Sequence, residues 1–242
     1  MGALTSDDMH RILTSMPKDA VKMLKDNSPR LFLAGGSIRA MIAGESVSDW
    51  DFFGPTKEAL ELAARRLADA REPKGKLYKT KNAFTVLGHP RTPVQFISRW
   101  LYDDPAALLQ SFDFSVARAV IWWDGVGWQS LCDALFYPDL AAKRLRYMQP
   151  DRNEDAGGSM LRVQKFLHRG YHIAPESLGR VMARITTRMR GEASPQNAGE
   201  PDEAWHGRVI TGLLRQVDPL TVVDGLEMRG DDDDQGEEVT AP

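Results

Sequence analysis

The sequence predicts a mixed α/β head followed by a helical extension. Three observations carry that reading. Short apolar runs alternate with amphipathic segments over roughly the first 140 residues. From Tyr137 onward, apolar residues recur at helical spacing. The final stretch, Gly230 to Pro242, is polar and acidic. Short strands interleaved with helices pack most naturally as a small sheet flanked by helices.

The elements follow in order. Ser6 with Asp7 and Asp8 reads as a helix start, because acids in the first turn face the positive dipole end. Apolar residues at helical spacing continue to about Lys25, interrupted by Pro17. Leu31 to Ala34 is a short buried strand. Ile38, Met41 and Ile42 belong to a helix that Gly44 ends. Trp50, Phe52 and Phe53 fit a second strand, closed by Gly54-Pro55. Thr56 caps an amphipathic helix through Leu60, Ala63, Ala64 and Leu67. Leu77 to Leu87 reads as one or two strands, and Val94 to Ile97 as another after Pro93.

Asp104-Pro105 starts a helix to about Gln110. Phe114 to Trp122 reads as a strand ending at the turn Asp124-Gly125. In the extension, Met160, Val163, Phe166 and Leu167 form one apolar helical stripe, ended by Gly170. Pro175 to Met189 and Glu203 to Val217 give two further helices, separated by a polar break at Gly191 to Pro201. The expected organisation is a head over 1–140, a helical extension over 141–229 and a disordered acidic tail over 230–242.

Chemistry concentrates in one tract. Leu33-Ala34-Gly35-Gly36-Ser37-Ile38-Arg39 reads as a strand, a glycine turn and a helix start. Glycines let a backbone approach a polyphosphate closely, and a helix start presents free N–H groups and a positive dipole end to anions. Ten residues on, Asp49 and Asp51 sit at i and i+2, so on a strand they share a face. Two carboxylates beside a phosphate cradle suit magnesium ions that activate a hydroxyl and hold a leaving pyrophosphate. The pattern points to nucleotidyl transfer from a nucleoside triphosphate. Alone, Gly35-Gly36 would be an ordinary turn; the acids make it specific.

Bulk properties narrow the field. The chain has 242 residues, 42% of them hydrophobic, and a net charge of −3. Six of its acids lie in the tail (Asp231 to Asp234, Glu237 and Glu238), so the remainder carries a small net positive charge. Basic residues gather at Lys143-Arg144-Leu145-Arg146, at Arg162 to Arg169 and at Arg180 to Arg190, a footprint suited to a phosphate-rich ligand. No apolar run approaches the ~18 residues of a membrane span. The sequence shows no secretory leader, and a single cysteine, Cys132, fits a reducing compartment. A cytoplasmic protein is expected.

These motifs resemble the DNA polymerase β nucleotidyltransferase superfamily. Within it they are most similar to the head and neck of bacterial-type tRNA nucleotidyltransferases (CCA-adding enzymes) and poly(A) polymerases. Gly35-Gly36-Ser37-Ile38-Arg39 and Asp49-Trp50-Asp51 match that group's opening motifs. Asp113-Phe114-Ser115-Val116 resembles its Asp-Phe-Thr element, and Asp139-Leu140 with Leu145-Arg146 its Asp-Leu…Arg element. Glu154-Asp155, Met160-Leu161-Arg162 and Gly170-Tyr171 resemble its neck helix. The resemblance implies a nucleotidyltransferase head with a small mixed sheet, then a helical neck.

By the same resemblance Asp49 and Asp51 bind magnesium or manganese, and Gly35, Gly36, Ser37 and Arg39 face the triphosphate. Asp113 supports the ribose or its neighbours, and Asp155 and Arg162 lie along the nucleotide pocket, with Lys165 a further nucleotide-binding candidate and an RNA 3′ end as acceptor. From the residues alone, Asp113 is equally a structural cap, Asp139 a helix cap, and Arg162 with Lys165 a solvated basic face.

The departures are specific. Ser111 and Phe112 stand where the family carries arginines, and Ala117 where it carries asparagine. Gly157-Gly158-Ser159 occupy the place of the arginine that follows Glu-Asp. The superfamily's third acidic position is Gln95, which cannot act as a base. Two other readings therefore stand beside RNA transfer: a non-catalytic nucleotide- or RNA-binding relative, and an enzyme that modifies a protein or a small molecule.

Overall fold

Apolar alternation and glycine turns build one mixed sheet with helices on it, followed by a set of helices. The computed structural model describes residues 1–28, 30–72, 74–148, 156–192, 195–215 and 237–239. They fall into two units. One comprises Met1–Gln110, Ala117–Phe136 and Pro219–Pro242, the other Ser111–Val116 and Tyr137–Asp218.

In the first unit, α1 (Ser6–Ser15) is capped by Thr5, whose hydroxyl accepts the Asp8 N–H at 3.2 Å. Pro17 separates it from α2 (Lys18–Asp26). The strand β1 (Phe32–Ala34) is wholly buried and leads through Gly35 into α3 (Gly36–Ala43), which ends at left-handed Gly44. After β2 (Trp50–Phe53), the Thr56 hydroxyl caps α4 (Lys57–Ala70) by accepting the Ala59 N–H at 3.1 Å. There follow β3 (Lys76–Lys79), β4 (Ala83–Gly88), β5 (Arg91–Ile97), α5 (Pro105–Gln110), β6 (Ala119–Trp123) and β7 (Trp128–Cys132).

These strands lie in the order β3-β4-β5-β2-β1-β6-β7. All pairings are antiparallel except β2 with β5. Directly paired residues share a face, so the register sorts the side chains. Leu33, Phe52, Phe96 and Phe84 share one row, with Phe52 and Phe96 edge to face at 5.4 Å. That face carries α4: Lys79, paired with Phe84 in the ladder, reaches Glu61 of α4 at 3.4 Å. The opposite face carries a polar row, Asp51, Gln95, Thr85 and Tyr78 on neighbouring strands.

The second unit takes up α6 (Phe136–Ala141) from Tyr137 on, then β8 (Arg144–Leu145), α7 (Ala156–His168), β9 (His172–Ile173), α8 (Pro175–Glu192) and α9 (Asp202–Arg215). The strands β8 and β9 form a small parallel pair. Ile185 and Met189 of α8 are buried against Met160, Val209, Ile210 and Leu213. Ahead of α9, the Arg208 guanidinium beside Glu200 holds that carboxyl down at about 2.

The structure differs from the sequence reading in four places. Phe114 to Trp122 is not one strand: Ser115–Ala117 forms a 3-10 turn and β6 begins at Ala119. Phe114 packs instead against Tyr147 and Phe166 of the second unit, which draws the chain out of the sheet. The strand β7 escaped the periodicity reading because Gln129 and Ser130 interrupt its apolar run. Pro93 lies inside β5 rather than ahead of it, beside a register irregularity between Val86 and Gly88. In the tail, where no structure was expected, β10 (Glu237–Glu238) adds antiparallel to β3. Residues 230–236 and 240–242 lie outside the described residues.

Candidate active site

The end of β1 sets the site. Gly35 has φ of 87°, a conformation that favours glycine, and turns the chain directly into α3. A Cβ placed on Gly36 would meet only the Arg39 Nη1, at 3.9 Å, so space lies in front of the helix start. Ser37 is 2% exposed, and its hydroxyl has no hydrogen-bond partner among the described residues. A buried, unpartnered hydroxyl beside free helix N–H groups is an arrangement that an anionic oxygen would complete.

Arg39 is 4% exposed. Its Nε lies 3.5 Å from Oε2 of Glu45, which sits in the loop between α3 and β2. Sequence reasoning missed Glu45. It is six residues beyond Arg39, across the Gly44 turn, and no helical or strand spacing relates the two.

The carboxylates come from β2. The pairs Phe32–Phe53 and Leu33–Phe52 run antiparallel, so the next step along the ladder brings Asp51 beside Ala34, the residue before Gly35. Asp49 lies just ahead of β2, two residues before Asp51. Both acids are half-buried, while Trp50 and Phe52 are buried on the other face. The Ser48 hydroxyl donates to Asp49 Oδ1 at 2.7 Å. Gln95, on β5, is the ladder partner of Asp51, and Thr85 that of Gln95. The Thr85 hydroxyl is buried and has no hydrogen-bond partner among the described residues. Those residues contain no group of three or more His, Cys, Asp or Glu able to hold a metal ion.

The remaining expected residues lie elsewhere. Asp113, Arg162 and Lys165 belong to the second unit. There Arg162 Nε donates to the buried Asp113 carboxylate at 2.7 Å. Asp155 lies outside the described residues. Asp139 is not the helix cap expected: it lies inside α6. Its carboxylate accepts from Ser115 Oγ at 2.7 Å and from Arg146 Nε at 3.0 Å, with Arg144 Nε at 3.4 Å. The bond to Asp139 makes Arg146 hold its proton more firmly than a free guanidinium.

Residues 4–143, more than half of the chain, match the Gabija anti-defense 2 family. The chain belongs to that family. Solved structures add the fold. The Thermotoga maritima CCA-adding enzyme complexed with tRNA is similar at 14% identity with a TM-score of 0.57, over 88% of this chain and 55% of that one. A CCA-adding enzyme in complex with CTP is similar at 16% identity and a TM-score of 0.54, over 84% and 54%. A tRNA-processing enzyme in an apo form is similar at 18% identity and 0.51, over 79% and 50%. This member of the Gabija anti-defense 2 family therefore has a nucleotidyltransferase-like fold, and spans about half the length of those structures. No curated protein matches its sequence. Among the described residues, no helix is long and apolar enough to cross a membrane.

Proposed function

We propose that the chain transfers a nucleotidyl group from a nucleoside triphosphate to an acceptor, and that an RNA 3′ end is the acceptor. One observation carries the reading: Asp51 lies one ladder step from the Gly35 turn, where the buried Ser37 hydroxyl waits for a partner. The N–H groups at the start of α3 and the Ser37 hydroxyl would hold the β- and γ-phosphate oxygens. Asp49 and Asp51 would hold magnesium or manganese, two hard carboxylates with substrate phosphates completing the shell. When bound, the cation supplies charge neutralisation and a more acidic acceptor hydroxyl.

In the reaction, the acceptor oxygen bonds to the α-phosphorus as the bond to pyrophosphate breaks, and pyrophosphate leaves with that electron pair. The acceptor proton passes to a carboxylate or to water. Gln95 is neutral and cannot take it. The RNA acceptor is supported by the likeness to structures of CCA-adding and tRNA-processing enzymes and by the basic residues of α7 and α8.

The family match favours a second reading of the acceptor. Its description is anti-defence against Gabija, so the nucleotide would go to a component of that defence. Incubating the full chain with each α-labelled nucleoside triphosphate, magnesium or manganese, and either total RNA or Gabija components separates the two. Label on RNA alone supports the first and label on a Gabija component the second. Asp49→Asn and Asp51→Asn should each lower turnover by at least about 100-fold, with melting curves recorded to monitor folding. A wild-type chain that transfers no label to any acceptor overturns the proposal.

A further inference from the structure

We propose, on the reading that Asp49 and Asp51 hold magnesium or manganese, that Ser48 is a positioning residue whose hydroxyl aims the Asp49 carboxylate. The two acids are placed by different means. Asp51 lies within β2 and is seated in the ladder opposite Gln95. Asp49 lies just ahead of the strand, in the loop that follows Gly44. Its direction therefore depends on side-chain contacts rather than on strand pairing.

Ser48 makes such a contact. Its hydroxyl donates to Asp49 Oδ1 at 2.7 Å, the length expected of a hydroxyl bound to an ionised carboxylate. Neighbouring side chains point to opposite faces of an extended strand. A bond between residues 48 and 49 thus needs a backbone that has left strand geometry, which the loop supplies and β2 would not. Ser48 does for Asp49 what the ladder does for Asp51.

Carboxylates that ligate a metal ion are themselves held by hydrogen bonds from outside the metal shell, and those outer partners set the ligand's orientation. Asp49 has a further interaction as well, so loss of Ser48 does not release the acid. It removes one contact that orients Oδ1, and the consequence is weaker cation binding rather than none. Ser48 is exposed, so water can take the place of its hydroxyl at Oδ1. The expected loss is therefore about tenfold, the low end for such partners.

The probe is manganese(II) alone, titrated into the full chain to millimolar concentration and followed by electron paramagnetic resonance. Ser48→Val should bind it about tenfold more weakly than wild type. Ser48→Thr has the same shape as Ser48→Val but keeps the hydroxyl, and should bind close to wild type. In the transfer assay, Ser48→Val should need correspondingly more manganese for its half-maximal rate and reach the wild-type rate at saturation. That split follows because the hydroxyl acts through Asp49 alone. Melting curves monitor folding; should the valine variant fail to fold, Ser48→Ala takes its place and should show the same loss.

Equal binding by Ser48→Val and Ser48→Thr would show that the hydroxyl has no part, and would overturn the inference while leaving the cation site standing. A wild-type affinity in Ser48→Ala does the same. If wild type binds no manganese, or if Asp49→Asn and Asp51→Asn leave its binding unchanged, the two-carboxylate reading itself falls, and the role of Ser48 with it.

Discussion

Asp139 shows what single residues do in this chain. It is 1% exposed and gathers Ser115, Arg144 and Arg146 around one carboxylate. Asparagine in its place would keep the volume, remove the charge, and leave one amide oxygen for partners that two carboxylate oxygens now share. Asp139→Asn should cost about 3 kcal/mol of stability, reduced from a fully buried pair because Arg144 and Arg146 are part-exposed. Chemical denaturation read by circular dichroism measures it; a loss below about 0.5 kcal/mol would mean the network is only a surface contact. The sequence marked Asp139 and Arg146 as neighbours in a motif. It could not show that they bond to each other, because the chain between them leaves the helix before returning. Asp51 was legible as a strand residue from Trp50, Phe52 and Phe53 around it, whereas Asp49 falls just ahead of β2, where the two-residue period no longer fixes its face. Glu45 and Thr85 were not legible, since their significance comes from burial without a hydrogen bond.

At the scale of elements, Gly157 decides how two helices meet. A Cβ there would collide with the Leu213 carbonyl oxygen and stand 3.1 Å from the Leu214 Cα, so α9 lies directly on the first turn of α7. The substitution Gly157→Ala should destabilise the protein by about 2 kcal/mol, because backbone cannot yield as a flexible side chain can. Gly179 in α8 is the control: nothing stands within 4 Å of its would-be Cβ. There alanine should stabilise by about 0.5–1 kcal/mol through helix propensity alone. Thermal melts of both variants check the pair; equal shifts in one direction would refute the close approach of α9. The sequence reading saw Gly157-Gly158-Ser159 only as a missing arginine. Small residues there have a positive purpose, to admit a helix backbone, and no periodicity in α7 announces it. The long helices α4, α7, α8 and α9 were legible because their apolar stripes are regular. The strand β7 was not, because a half-exposed edge strand carries a weak alternation.

At the scale of the whole chain, the division into units is not a single cut along the sequence. The boundary expected near residue 140 puts Ser111–Val116 with the head, whereas the contacts group that segment with Tyr137–Asp218. Sequence order carries no signal for a short segment that crosses between units, since six residues hold too few apolar positions to show where they pack. Phe114 is the test. It is fully buried, with ring centroids 5.8 Å from both Tyr147 and Phe166. The change Phe114→Ala should therefore cost about 3–5 kcal/mol and act on the second unit, although residue 114 precedes β6 of the first. Hydrogen exchange resolved by peptide distinguishes the two placements. Protection should fall in α7, which carries Phe166, and around Tyr147, while β3, β4 and β5 keep theirs. If protection falls instead in the sheet and α7 is unchanged, the segment belongs to the head. The Asp113–Arg162 pair would then need another account, since both partners are grouped here by the same contacts.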